Sequence, residues 1–97
     1  MKEIELKKKV EKYRSLTEKA LKKVGICVPE NSALYPIAKD FYAMAENYFN
    51  DAKHFERQDK LSTALASYSY AHAWLDAGAR LGVFDVKNDF KLFTLFK

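Results

Sequence analysis

Apolar residues recur every three to four positions along most of this chain, the period of helices with one side turned inward. In the first segment Leu6, Val10, Tyr13, Ala20 and Val24 share one stripe, and Leu16 and Leu21 widen it. Lys8, Lys12, Lys19 and Lys22 fall on the other side, as on an amphipathic helix. The pattern predicts a helix over about residues 2–24, ended by Gly25 as a left-handed cap. "ICVPENS" is the connection, with Ser32 as the expected N-cap of a second helix over about 33–57. Pro36 is tolerated there because first-turn amides lack intrahelical partners. The second stripe reads Ile37, Phe41, Met44, Tyr48, Ala52 and Phe55, with Tyr42 and Phe49 as a shoulder. A short turn, "RQDK", places Asp59 as the N-cap of a third helix over about 60–82.

The third helix has two apolar faces, Leu61, Leu65, Tyr68, Leu75, Ala79 and Tyr70, Trp74, Ala77, Leu81. An element apolar on two sides must be covered on more than one, so it is expected at the centre. No pattern of turn-separated alternating strands is present. These features predict an all-α fold: one domain over 1–97, an up-and-down antiparallel bundle of three main helices, each roughly 33 Å long at 1.5 Å per residue. The tail, residues 85–97, gathers Phe90, Leu92, Phe93, Leu95 and Phe96 and is too apolar for a free linker. It is expected to dock, as a segment or short fourth helix, against the Tyr70, Trp74, Leu81 seam. Docking within the chain is favoured, leaving a monomer; exchange of the tail would give a homodimer.

Charge changes this picture little. Residues 1–23 hold nine Lys and Arg against four Glu, a net of +5; the rest hold eight against nine, a net of −1, which together give the +4 of the chain. Glu3 with Lys7, Glu5 with Lys9 and Glu18 with Lys22 stand Glu-before-Lys at i,i+4, which favours a solvated helix face over a nucleic-acid ridge. The single cysteine, Cys27, excludes an intramolecular disulfide; between Ile26 and Val28 it reads as a small buried hydrophobe. No signal peptide or membrane span is expected, and the cytoplasm is the expected location.

Ser69, His72, Asp76 and Arg80 follow one another at helical steps of three, four and four. As a hydrolase set they fail, because side chains of one helix point the same way and mid-helix amides offer no oxyanion hole. As a metal site they supply two ligands where zinc takes three or four. The favoured reading is structural: Asp76 holds His72, Arg80 neutralises Asp76, and the track ties helices together. His54 falls on the polar face of the second helix. The aromatic set Tyr42, Tyr48, Phe49, Tyr68, Tyr70 and Trp74 is expected in the core and between helices. No catalytic residue, cofactor or metal is expected.

"AENYFNDAKHF" followed by "ALASYSYAHAWLDAGARLGVF" resembles the small archaeal proteins grouped as domain of unknown function family 357. Tyr48, Asp51, Ala52 and Phe55 carry the first part of the resemblance. The run from Tyr70 to Gly82, with His72, Trp74, Asp76, Gly78 and Arg80, carries the second, and Ala73 stands where a glycine is usual. The resemblance covers about Ala45–Phe84 and implies a bundle of three main helices without assigning an activity. The excess apolar surface of the third helix and tail, with no catalytic constellation, makes a non-enzymatic module acting on a protein partner the expected function. The alternatives are an RNA-associated domain using Lys8, Lys12, Lys19 and Lys22, and a small-molecule site at the His72, Asp76, Arg80 track.

Overall fold

A computed structural model describes residues 2–89 and 91–93. Three helices dominate: α1 (Glu3–Lys23), α2 (Tyr35–Arg57) and α3 (Leu61–Leu81). Cross-contacts give their directions. The Tyr42 hydroxyl donates to the Leu21 carbonyl while Arg14 pairs with Glu56, so α1 and α2 run antiparallel. The Phe41 ring meets Trp74 edge-on and Tyr48 meets Tyr70, so α2 and α3 also run antiparallel. The bundle is all-α and up-down-up, with α3 packed against both other helices, as the sequence predicts.

The centre of the packing differs from the predicted stripes. On α2 the buried residues are Ala38, Ala45, Phe49 and Ala52, and on α3 Leu61, Ala64, Ser67, Tyr68, Ala71, Leu75 and Gly78. Small residues repeat every seven positions on each helix, which keeps them on one seam and lets the backbones approach closely. The larger Phe41, Tyr48 and Phe55 flank that seam half-buried, and Ile37 is exposed. On α1 the innermost residues are Val10, Thr17 and Ala20, so a threonine sits where only apolar side chains were expected. Ser67 is satisfied by donating to the Tyr48 carbonyl across the α2–α3 interface at 2.8 Å.

The helix ends also depart from expectation. Gly25 does not take the left-handed cap; α1 ends at Val24 in extended backbone, because the chain leaves directly into β1 (Gly25–Ile26). β1 pairs antiparallel with β2 (Phe84–Asp85), a two-residue ribbon too short to leave an alternating pattern in sequence. Ser32 is not an N-cap: its hydroxyl accepts the Leu34 amide at 3.1 Å and shapes the turn before α2, which starts two residues later than predicted. Asp59 adopts φ 60° and closes the α2 end, its amide bonded to the Glu56 carbonyl, so Lys60 precedes α3. The left-handed glycine is Gly82, φ 91°, where Val83 bonds back to the Gly78 carbonyl. Cys27 is exposed rather than buried, its thiol donating to the Gly82 carbonyl.

After β2 the chain turns at Val86–Asp89 with Lys87 and Asn88 both at φ 56°, the backbone of a tight reversal. Val83, Phe84, Val86 and Phe93 are buried in the core against Ala20, Ala38, Ala45 and Leu75. The described part of the tail thus docks on its own bundle. It does so beside His72 and α1, not on the Tyr70, Trp74, Leu81 seam, because the reversal aims the chain back toward Lys23. Phe90, Leu95 and Phe96 lie outside the described residues.

Candidate functional site

Two members of the predicted polar track, Ser69 and His72, turn to different partners. The Ser69 hydroxyl is exposed and donates to the Leu65 carbonyl of its own helix. His72 is half-buried, and its ring spans three segments: Nδ1 meets the Thr17 hydroxyl of α1 at 3.2 Å and Nε2 meets the Leu92 carbonyl of the tail. A carbonyl only accepts, so Nε2 donates to Leu92, and Nδ1 shares its hydrogen bond with the Thr17 hydroxyl. Both nitrogens are spent, and the partner is not Asp76, because the ring leans across to α1 and the tail. Asp76 is half-buried and Arg80 exposed. Phe93 packs beside the imidazole, with ring centroids 6.1 Å apart.

A second polar cluster was not predicted and takes one residue from each helix. Glu56 of α2 accepts from Arg14 of α1 and from the Tyr68 hydroxyl of α3, the latter at 2.8 Å. Tyr68 is fully buried, and that burial, then the bond to Glu56, pushes its phenol above the ordinary value. The apolar face of the third helix marked Tyr68 as core; nothing in the local pattern marked Arg14 and Glu56 as its partners, since their pairing spans 42 residues of chain.

Two surfaces offer room for a ligand near the C-terminal end of α1. A cleft of about 450 Å³ is lined by Val24, Ile26, Tyr35, Tyr42 and Phe84, with Lys39 and Glu46 at its rim. Its Tyr42 phenol is raised by burial and then by the Glu46 charge, and its proton is held by the Leu21 carbonyl. A groove of about 550 Å³ runs between α1 and the tail, with Lys19, Lys22 and Lys91 around Leu16 and Leu92. Lys8 and Lys12 are exposed further along α1.

The hairpin of α2 and α3 has a third surface. α1 and the tail cover the side of Tyr42 and His72. The opposite side carries Tyr70, 60 % exposed, Leu81, 51 %, and Ile37, 40 %. Between them lie exposed Ala73 and Ala77 and half-buried Trp74, forming a shallow depression that, among the described residues, only α2 and α3 line. Tyr70 was expected to be packed; one α2 ring, Tyr48, covers one side of it and nothing among the described residues covers the other.

Among the described residues no group of three His, Cys, Asp or Glu could hold a metal ion. Among them, too, no helix is long and apolar enough to cross a membrane. No curated protein and no solved structure matches the chain. A family model does, and it reaches from within α1 to β2, well beyond the α2–α3 segment that carries the resemblance in sequence. With that match over residues 12–84, the chain belongs to the family described as protein of unknown function (DUF357).

Proposed function

We propose that this chain is a non-enzymatic helical-bundle module that works by protein contact through the outer side of its α2–α3 hairpin. The observation that carries the reading is the uncovered set Ile37, Tyr70 and Leu81, three large side chains on one side of two packed helices. Exposed aromatic and aliphatic side chains gathered on one face mark contact surfaces. Ala73 and Ala77 keep the middle of that face low, so a helix can lie along it. Asp40 and Asp51 are exposed along the adjoining border of α2. The partner is therefore an amphipathic helix whose apolar stripe is flanked by Lys or Arg. The same reading keeps the module in the cytoplasm.

A photo-crosslinking amino acid at Tyr70, used in extract of the source cells, tests this. The expected product is a peptide with apolar residues at three- and four-residue spacing and basic flanks, lost when Leu81→Asp is added. Equal capture from a crosslinker at Lys8 would overturn the reading. So would no capture together with a melting temperature that responds to metabolites.

A further inference from the structure

We infer that the groove between α1 and the returning tail binds an anionic amphiphile, a small molecule with an alkyl or acyl segment and a phosphate or carboxylate head. Docking of the tail builds this site, since it brings Lys91 and Leu92 to Leu16, Lys19 and Lys22, about seventy positions earlier in sequence. The volume, about 550 Å³, falls in the range of small-molecule sites, on the order of 300–1,000 Å³. Its floor is apolar, Leu16 and Leu92, both half-buried.

Charge sets the sign of the ligand. Lys22 is countered by Glu18 at 3.2 Å and Lys23 by Asp89 at 2.9 Å. Lys19 and Lys91 have no ion pair among the described residues and stand exposed at the groove. Asp89 does not repel an anion strongly, because both its oxygens are committed: Oδ2 accepts from Lys23 and Oδ1 from the amides of Lys91 and Leu92. It fixes the wall that holds Lys91.

The same residues argue against other anionic partners. Among the described residues no aromatic ring lines the groove, so a single-stranded nucleic acid would find phosphate contacts there but no stacking platform among them. A flat anionic bilayer would engage Lys8 and Lys12 as readily as Lys19, yet the apolar residues between these lysines, Val10, Tyr13 and Leu16, are buried or half-buried and none stands exposed to insert. A short amphiphile uses what is particular to this place, two leucines under two uncommitted ammonium groups.

The test uses the full chain and dodecyl phosphate below its micelle concentration, followed by amide chemical shifts. Saturable binding at one site is expected, with shifts at Leu16, Lys19 and Leu92 and at least tenfold weaker binding of inorganic phosphate. Lys19→Glu with Lys91→Glu should weaken binding at least tenfold at unchanged melting temperature, and Lys8→Glu with Lys12→Glu should leave it alone. Binding that is unaffected by Lys19→Glu with Lys91→Glu overturns the inference. So does binding that shifts Tyr70 and Leu81 instead, or no saturable binding. Preference for polyuridylate or anionic vesicles over the monomeric amphiphile also overturns it, in favour of those partners.

Discussion

At Gly78 the reason for a residue type is steric and specific. A Cβ added there would run into the Phe84 ring, a side chain itself held in the core. Alanine is worth about 1 kcal/mol over glycine within a helix, so Gly78→Ala would stabilise an isolated α3. In the folded chain the clash should dominate and lower stability by about 1–3 kcal/mol, measured by chemical denaturation. Phe84→Leu should recover part of the loss in the double variant, and simple additivity would show that the ring is not the cause. Tyr68 provides a second residue-scale test. Its phenol is held protonated above the ordinary 10.0, as is that of Tyr42 to a lesser degree, while the unfolded chain ionises near 10.0. This contribution is complete below about pH 10 and is lost as pH rises beyond it, since the unfolded state then releases protons that the fold retains. Stability should therefore fall between about pH 10 and 12, and Tyr68→Phe should flatten the fall. An identical slope in the variant would assign the alkaline loss elsewhere.

At the scale of elements, the α2–α3 seam and the tail obey different physics. The seam depends on small volume. Ala45→Leu should cost about 1–3 kcal/mol by overpacking, although leucine is the more hydrophobic residue, because Ala45 has no exposed surface to expand into. The tail depends on polar anchors that a carboxylate organises. Asp89 is held below the ordinary carboxylate range, first by its hydrogen bond to Lys23 and then by the Leu92 amide. A depressed value in the fold means that the contribution is present above the unfolded value of 3.8 and lost as pH falls below it. Below about pH 4 amide exchange at Lys91 and Leu92 should therefore accelerate before that of α3. Asp89→Asn should show the faster exchange already at neutral pH, and unchanged exchange in that variant would mean that Phe93 burial alone holds the segment. His72 joins this anchor from the other side: His72→Ala leaves the Thr17 hydroxyl and the Leu92 carbonyl without their partner, at about 1–3 kcal/mol.

For the whole molecule, removing residues 87–97 takes away buried Phe93, the Lys23–Asp89 pair and the Leu92 carbonyl that His72 bonds. A lower melting temperature at unchanged mass by light scattering is the expected result, and a dimer that falls to monomer would mean that the tail is exchanged between copies.

What the sequence by itself determined is the class of structure. Periodicity, few glycines and short connections specify three helices, their order and their approximate ends, because amphipathic spacing is a local property. It also marked Tyr68 and Leu75 as core, and Phe93 as a residue that would dock. Tertiary structure decided which side of each helix faces which neighbour. A hydrophobic count weights large side chains, whereas two closely packed helices place alanines and Gly78 at the line of contact and displace Ile37 and Tyr70 outward. Only the fold could join Arg14, Glu56 and Tyr68, or His72 with Thr17 and Leu92, because hydrogen bonds are satisfied by whatever the packing brings near and leave no spacing to read. The same holds for the groove beneath Lys19 and Lys91, whose two walls meet only after the chain has turned at Lys87 and Asn88.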